Sequence, residues 1–240
     1  MMQCYVINLR RATERLANME EEFSRIPLVM ERIEAVEAET AIAIQATRAI
    51  PDMRVRPWGR AELACLLSHH EVWRRVADQA DEFAAVFEDD VVLDARIGKV
   101  LEDPAGYPAG ADVIKLETID QPVLLSRRVW TRRYGCSYRR LGSLHHGSAA
   151  YIISRRAARF LLGSSRLLDM PVDDILFSHQ HQIGKHLRVF QIVPALAVQT
   201  ATLPALRNWK HLPSDIEAER QAIAAVFKWR PHRERWPALR

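Results

Sequence analysis

Three acidic residues, Glu88, Asp89 and Asp90, directly follow an apolar run at residues 83–87. Neighbouring carboxylates repel one another, and their charge is unfavourable unless water or a cation compensates it. Carboxylate oxygens are hard ligands that suit Mg²⁺ or Mn²⁺, and both ions also bind phosphate oxygens. The trio therefore predicts a divalent cation that bridges the protein to a diphosphate and stabilises charge on a leaving phosphate. The alternative is an acidic turn that only ends a strand.

Two other apolar runs also contain polar or charged side chains at or near their ends. Asn8 lies near the end of residues 5–9, while Lys115 and Glu117 lie in the second half of residues 112–117. In open α/β sheets, ligands bind beyond the carboxyl ends of the strands. We therefore expect these side chains and the acidic trio to meet at one edge of a sheet. A lysine inside an apolar strand needs a partner, which either a phosphate or Glu117 would provide.

The remaining pattern alternates apolar runs with amphipathic segments, which is typical of an α/β fold. We predict strands at 5–9, 33–36, 83–87, 112–117, 149–153 and 187–193, and helices at 11–25, 60–79, 154–162 and 172–182. Residues 37–57 are predicted to form a loop with some helix, and residues 118–146 to form turns and hairpins. The sequence thus predicts a mainly parallel central sheet flanked by helices.

Composition limits the partners and the compartment. The 240 residues carry a net charge of +4, and residues 201–240 alone hold eight Lys/Arg and four Asp/Glu, which accounts for all of it. Because the excess charge is confined to this tail and no recognition motif accompanies it, we predict no nucleic-acid partner. Three cysteines form no disulfide framework. Neither a signal peptide nor a membrane-spanning run is evident, so we predict a cytoplasmic protein.

The tail also suggests how the chain is divided. We predict a catalytic domain over residues 1–200 and a basic, Trp-containing helical extension over residues 201–240. Apolar residues such as Ile223 and Phe227 give the extension one apolar side, and basic residues follow them. The extension could therefore lie on the inner face of the cytoplasmic membrane. Packing against the catalytic domain is the alternative.

Short motifs follow one another along residues 3–200. They are Tyr5-Val6-Ile7-Asn8-Leu9 with Arg15, Ala61–His69 with Trp73, Val86–Val91, Asp112–Glu117, Gly147 with Ala150–Ser154 and Ala157-Ala158, Pro171-Val172-Asp173, and Pro194 with Gln199. In this order they resemble glycosyltransferase family 25, the lipooligosaccharide galactosyltransferase family. Ala64 departs from the family's pattern, in which glycine is common.

The resemblance implies a GT-A-type glycosyltransferase fold, an inverting mechanism and a UDP-sugar donor, often UDP-galactose. Glu88 and Asp90 then form the ends of an acidic motif that binds Mn²⁺ or Mg²⁺. The residues that we assign to donor binding are Asn8, Leu9, Arg15, Glu62, Ser68, His69, Glu88, Asp89, Lys115 and Glu117. Ser68 and His69 could orient the donor phosphates, or they could only form local hydrogen bonds on a helix.

An inverting transfer requires a base that removes the proton from the acceptor hydroxyl. Asp173 is the first candidate because it matches the family's Pro-x-Asp motif, and Asp174 is the second. Carboxylates are also favoured at helix N-termini, so both residues could be simple caps. Of the histidine pair His145 and His146, we assign His146 as a third metal ligand, although histidines in loops are often only solvated.

Three arginine pairs between residues 127 and 140 surround Trp130, Tyr134 and Tyr138. Arginines bind phosphate and carboxylate groups, so we predict an acceptor loop for an anionic glycolipid or glycan; an ordinary solvated hairpin is the alternative. The predicted function is metal-dependent transfer of a hexose to a surface glycan. Other functions consistent with the sequence are a non-catalytic nucleotide-sugar or glycan-binding module and a glycoside hydrolase with two carboxylates.

Overall fold

The computed structural model describes residues 2–41, 59–119, 121–164, 167 and 170–202. The strands are β1 (Gln3–Asn8), β2 (Met30–Glu34), β3 (Phe83–Glu88), β4 (Val91–Leu93), β5 (Val113–Lys115), β6 (Glu117–Thr118), β7 (Leu125–Arg133), β8 (Cys136–Leu141), β9 (Ala150–Ser154), β10 (Val189–Val193) and β11 (Ala197–Gln199). Within the described residues, eight strands form a large sheet in the order β2-β1-β3-β9-β5-β10-β8-β7. The other three form a small sheet in the order β4-β11-β6.

Helices cover both faces of the large sheet. They are α1 (Thr13–Arg25), α2 (Arg60–Asp78), α3 (Ile97–Glu102), α4 (Arg155–Leu162) and α5 (Val172–Phe177), with 3₁₀ turns at Pro104–Gly106, Gly184–His186 and Thr200–Thr202. Successive side chains of a strand point to opposite faces, so the apolar strands supply two cores. One core packs α2, α4 and α5 around the fully buried Trp73, and the other packs α1 and α3 around Phe87. The predicted α/β class, with a central sheet flanked by helices, is confirmed.

The large sheet is mixed. β1 is parallel to β2 and β3, whereas β9 is antiparallel to both β3 and β5. β10 is parallel to β5 and antiparallel to β8, which is itself antiparallel to β7. In this part of the chain, six of the eight strands therefore share one direction and two, β8 and β9, oppose it. The sequence pattern of β9 does not show its direction, because an apolar strand buried on both faces reads the same either way.

Most predicted elements differ from the observed ones by one to three residues at an end, and two differ more substantially. The predicted strand at 112–117 is divided, since β5 belongs to the large sheet and β6 to the small one. Leu116, between them, donates its N–H to Ala150 of the large sheet and accepts from Leu196 of the segment leading into the small sheet. The predicted helix at 172–182 ends at Phe177, because the backbone at Ser178 is extended.

The sequence determines where two helices begin. At the start of α2 the Glu62 carboxylate accepts from the Gly59 N–H at 2.9 Å. At the start of α4 the Ser154 hydroxyl accepts from the Ala157 N–H at 3.1 Å and caps the helix.

Two predicted segments lie mostly outside the described residues. They are the loop at 37–57 and the basic extension at 201–240. Among the helices of the described ranges, none combines the length and the apolar character that are needed to cross a bilayer.

Candidate active site

The acidic trio lies where β3 ends. Glu88 is the last residue of β3, and Asp89 and Asp90 form the turn that leads to β4. Because β1 is the parallel neighbour of β3, Asn8 at the end of β1 lies at the same edge of the sheet. The Asn8 amide donates to Asp89 Oδ2 at 2.6 Å and to the Ala12 carbonyl at 3.0 Å. The structure thus brings Asn8 and the trio together, as the strand pattern predicts.

Arg15 of α1 contacts two members of the trio. Its guanidinium lies 3.1 Å from Asp89 Oδ1 and 2.9 Å from Asp90 Oδ2. Burial raises the pKa of Asp89, although Arg15 and Asn8 oppose the change. Burial also raises the pKa of Asp90 to about 7; Arg15 opposes this rise, and the neighbouring carboxylates add to it. A single guanidinium is therefore too little to neutralise this turn.

Glu88 is held by a chain of buried hydrogen bonds. Its Oε1 accepts from the Ser148 hydroxyl at 2.8 Å and lies 3.2 Å from His69 Nε2. The Tyr151 hydroxyl lies 2.8 Å from His69 Nδ1 and accepts from the Trp73 indole at 2.9 Å. Since an indole can only donate, the Tyr151 proton can point to Nδ1, and His69 Nε2–H then donates to Glu88. Burial opposes ionisation of Glu88, but the hydrogen bonds from His69 and Ser148 outweigh it and lower its pKa.

Lys115 and Glu117 form a fully buried ion pair beside the trio. Lys115 Nζ lies 3.0 Å from Glu117 Oε1 and also donates to the carbonyls of His146, at 3.1 Å, and Gly147. Its charge lies over the Phe177 ring, 4.1 Å from the ring centre. Burial lowers the pKa of Lys115 and raises that of Glu117, and each charge opposes the change in the other. Of the two partners that the sequence left open for Lys115, the structure contains Glu117.

Gly147 connects this ion pair to the start of α5. Its φ of +86° is a conformation that residues with side chains rarely adopt, and a Cβ atom there would lie 3.0 Å from Glu117 Oε1. Its N–H donates to Asp173 Oδ2 at 3.2 Å. Glycine is therefore required at this position, both by the backbone and by the close approach of the Glu117 carboxylate.

Asp173 lies in the first turn of α5. Its Oδ2 lies 3.4 Å from His146 Nδ1, and its Oδ1 accepts from the N–H of the buried Asp174 at 3.0 Å. Burial opposes its ionisation, but the hydrogen bonds from His146 and Gly147 outweigh burial and lower the pKa of Asp173 to about 2. Asp173 is therefore ionised at neutral pH and can accept a proton.

Three residues predicted to bind the donor instead form hydrogen bonds with backbone groups of the protein. Glu62 caps α2, as described above. The Ser68 hydroxyl donates to a carbonyl one helical turn earlier at 2.7 Å and accepts from the Val36 N–H at 2.9 Å. The Leu9 carbonyl accepts from the Ala12 N–H at 2.9 Å. These bonds position α2 and the turn after β1, and so support the site from its edge.

Three buried acceptor atoms of the site lack a hydrogen-bond partner within the described ranges. In the described part of the chain, Asp90 Oδ1, Glu117 Oε2 and Asn8 Oδ1 are buried and have no hydrogen-bond partner. Carboxylates outnumber fixed cations around them, because Glu88, Asp89, Asp90, Glu117 and Asp173 face Arg15 and Lys115. Carboxylate oxygens in such excess have the chemistry that Mg²⁺ or Mn²⁺ requires.

A second group of possible ligands fits a metal less well. Ligand atoms of Cys65, His69 and Glu88 lie within 4.8 Å of one another. However, a cysteine sulfur is a soft ligand that Mg²⁺ and Mn²⁺ do not prefer, and burial raises the pKa of the Cys65 thiol well above its usual value. Both ring nitrogens of His69 already take part in hydrogen bonds. The acidic trio therefore suits a hard cation better than the group of Cys65, His69 and Glu88.

The two neighbouring histidines, His145 and His146, have different environments, and the sequence assigned a role only to His146. The Gln191 amide donates to the carbonyls of Lys115 and Glu117, so its Oε1 accepts from His145 Nδ1 at 3.0 Å. Burial lowers the pKa of His145 to about 4, and the ring is neutral. Its Nε2 is buried and has no hydrogen-bond partner among the described residues. Gln191, a polar residue within an apolar strand, was the available signal for this buried contact.

Similar proteins identify the class of the chain. Residues 1–176 match the family described as glycosyltransferase family 25 (LPS biosynthesis protein). The lacto-N-neotetraose biosynthesis glycosyltransferase LgtB of Neisseria meningitidis serogroup B is 32% identical over 208 residues, which are 82% of this chain and 75% of the relative. The lipooligosaccharide biosynthesis protein lex-1 of Haemophilus influenzae is 29% identical over 73% of this chain and 61% of its own length.

A vertebrate protein is also similar. Procollagen galactosyltransferase 1-A of Xenopus laevis is 27% identical over 72% of this chain and 30% of its own length. The family match includes every residue of the site described above from Asn8 to Asp174. Because this match covers most of the chain and all of those residues, the chain belongs to glycosyltransferase family 25.

Proposed function

We propose that the protein is an inverting, metal-dependent glycosyltransferase that moves galactose from UDP-galactose to a lipooligosaccharide, a lipopolysaccharide or another surface glycan. The observation that carries the proposal is the excess of carboxylates, with unpaired oxygens, at the carboxyl edge of β1 and β3. Family membership supplies the class of reaction, and the names of LgtB and lex-1 support a surface glycan as acceptor. Galactose is supported by the name of the Xenopus relative. The reaction would take place in the cytoplasm.

The metal role falls on the acidic trio. We assign Mn²⁺ or Mg²⁺ to Asp90 and Glu88, with His146 as the third ligand. When bound, such an ion stabilises negative charge on a diphosphate leaving group. The protein's own residues would hold the two carboxylates in place. Glu88 is ionised and fixed through His69 and Ser148, and Arg15 orients Asp90.

We assign the catalytic base to Asp173, with Asp174 as the second candidate. The Asp173 carboxylate is ionised, and Gly147 N–H and His146 fix its orientation. In the proposed reaction it removes the proton of the acceptor hydroxyl, the oxygen attacks the anomeric carbon, and UDP leaves from the opposite side. Attack opposite to the leaving group inverts the configuration of the sugar.

The donor would bind next to the trio. Asn8, Arg15, His69, Asp89, Lys115 and Glu117 are the proposed donor-site residues with side chains in this network. Leu9, Glu62 and Ser68 would support them from the turn after β1 and from α2. Because Lys115 is buried in an ion pair, its effect on a phosphate would be electrostatic.

The experiment is a panel of nucleotide sugars with a lipooligosaccharide acceptor, in which release of UDP is measured with Mn²⁺ and with EDTA. We expect UDP-galactose to give the highest rate and EDTA to abolish it. Asp173→Asn should reduce the rate at least a hundredfold, which is roughly the effect of losing one acid–base group. Asp90→Asn should abolish transfer, because it removes a ligand of the metal. The matched control is Asp81→Asn, an exposed carboxylate before β3.

The outcome of this panel also separates the alternatives. Full activity in EDTA would contradict the metal role, and release of sugar without any nucleotide would indicate a hydrolase. Stabilisation by UDP and Mn²⁺ without turnover of any donor would indicate a non-catalytic binding module.

A further inference from the structure

The near balance of charge in residues 1–200 conceals a strongly basic segment. Residues 121–168 contain no Asp, Glu or Lys, and they contain ten arginines: Arg127, Arg128, Arg132, Arg133, Arg139, Arg140, Arg155, Arg156, Arg159 and Arg166. The first six lie on β7 and β8, which form a hairpin at one edge of the large sheet. We call these two strands the arginine hairpin. The basic character of the protein is therefore not limited to residues 201–240.

The exposed strand of the arginine hairpin carries positive charge that the described residues leave unmatched. β7 is the outermost strand of the sheet, and its four arginines are exposed. Arg133 lies 3.8 Å from Asp103, but Arg127, Arg128 and Arg132 have no carboxylate within 4 Å in the described ranges. Like charges this close repel one another, so an anionic partner would be favourable here.

Five other arginines of this segment are engaged within the protein. Arg139 donates to the carbonyls of Ser126 and Arg127, and Arg140 donates to that of Leu187. On α4, Arg155 and Arg159 donate to carbonyls at the end of α2 and just beyond it, and Arg156 pairs with Asp112. The unmatched charge is thus concentrated on β7.

Exposed apolar side chains accompany this charge. Trp130 is 38% exposed, and Leu124, immediately before β7, is 69% exposed. The Trp130 ring packs edge-on against Phe190 in the core, with the ring centres 5.7 Å apart, and the Arg128 guanidinium lies 4.1 Å from the centre of the Trp130 ring. A tryptophan anchored in the core and flanked by arginines is typical of a membrane interface, where the ring lies at the level of the head groups.

We propose that the arginine hairpin docks the protein on a lipid bilayer with anionic phosphate head groups. A bilayer fits this surface because its anionic head groups complement the arginines and its apolar interior can take up the exposed Trp130 and Leu124. A polyanion in water would match the charge but would not require an exposed leucine. Docking would bring the protein to a surface that holds lipid-linked acceptors. The proposal does not depend on which sugar is transferred.

The test is co-sedimentation of the full chain with vesicles of phosphatidylcholine that contain no or about 30% phosphatidylglycerol, at an ionic strength of about 0.1 M. The variant Arg127→Gln/Arg128→Gln/Arg132→Gln removes the three unmatched charges and retains residues 203–240. Each arginine near an anionic surface contributes about fivefold to binding, so we expect the variant to bind the anionic vesicles at least tenfold more weakly.

The matched control removes the same charge elsewhere. Arg74, Lys99 and Lys185 are exposed and lie outside the arginine hairpin. The variant Arg74→Gln/Lys99→Gln/Lys185→Gln should bind within about twofold of the unmodified protein, because these charges do not face the bilayer. Both variants alter exposed side chains, and their melting temperatures should match that of the unmodified protein.

Four results would overturn the proposal. The first two are equal binding of anionic vesicles by the hairpin variant and the control, and no preference of the unmodified protein for anionic vesicles. The third is arginine-dependent binding of an RNA oligomer in place of vesicles. The fourth is a raised KM of the hairpin variant for a short soluble acceptor with vesicle binding unchanged. UDP release with a soluble acceptor is measured on the same samples. Its absence in the unmodified protein would count against the proposed function and leave the docking result intact.

Discussion

Replacing Asp90 by asparagine should stabilise the metal-free protein at pH 8 while it abolishes sugar transfer. Burial and the neighbouring carboxylates raise the pKa of Asp90 from its ordinary 3.8 to about 7, against the opposing charge of Arg15. In the unfolded chain the same carboxyl group ionises near its ordinary value. The folded protein therefore binds one more proton than the unfolded chain between about pH 4 and pH 7. Its free energy of unfolding falls as the pH rises through this window.

The size of the effect follows from the two pKa values. Their difference of about three pH units corresponds to about 4 kcal/mol at a pH above 7. The side chain is only 13% exposed, so solvent reduces this value little. Asparagine has nearly the shape of the protonated acid and never ionises. For a domain of this size, about 2 to 4 kcal/mol corresponds to a rise in Tm of about 5 to 15 °C.

The assay is thermal unfolding of the unmodified protein, Asp90→Asn and the exposed control Asp81→Asn in EDTA, at pH 5 and at pH 8. We expect Asp90→Asn to melt higher at pH 8 and by a clearly smaller margin at pH 5, because at pH 5 only about a third of the window between the two pKa values has been crossed. Addition of Mn²⁺ at pH 8 should raise the Tm of the unmodified protein and leave that of Asp90→Asn nearly unchanged. A variant that is less stable at pH 8, or a difference that is the same at both pH values, would refute the reasoning.

Three further predictions concern the support of the site. Lys115→Met leaves the Glu117 carboxylate buried without its counter-charge and should lower the free energy of unfolding, measured in urea, by about 3 to 5 kcal/mol. The double variant Lys115→Met/Glu117→Gln should regain more than half of that free energy, and no recovery would contradict the ion-pair explanation. Tyr151→Phe removes the hydroxyl between Trp73 and His69 and should lower the free energy of unfolding by about 1 to 3 kcal/mol. It should also weaken activation by Mn²⁺ in a titration of initial rates, and an unchanged titration would show that the hydrogen-bond chain does not act on the metal site. Ser154→Ala removes the cap of α4 and should cost about 1 kcal/mol in urea with unchanged UDP release; reduced release would connect α4 to the site.

The position of the acidic trio was predictable from the sequence because it depends on local pattern. An all-apolar run that ends in charged residues is a buried strand whose end meets solvent or a ligand, and Glu88 indeed closes β3. The same pattern placed Asn8 at the end of β1. Since neighbouring parallel strands end at the same edge, the contact between Asn8 and Asp89 followed from two local patterns and one topological rule.

What could not be predicted depends on pairing between distant segments. The division of residues 112–117 is set by hydrogen bonds that Leu116 makes to two different parts of the fold, and an apolar run does not show this. Glu62 and Ser68 matched a family motif, yet their hydrogen bonds to the backbone depend on how α2 begins and on the approach of Val36. For Gly147, the positive φ and the approach of Glu117 are tertiary facts, although its place in the family motif was a signal.

The distribution of counter-charges explains why so acidic a site is compatible with a stable fold. Lys115 neutralises Glu117 from within the sheet, and Arg15 compensates Asp89 and Asp90 from α1, so the fold itself supplies two cations. Neither cation pairs with Asp90 Oδ1 or Glu117 Oε2. In the absence of a ligand, Asp90 relieves the unmatched charge by taking up a proton, whereas a cation that binds only the folded state would match the charge and stabilise that state. A divalent cation at this edge should therefore both activate the enzyme and stabilise its fold, with Asp90 as the residue through which the two effects are linked.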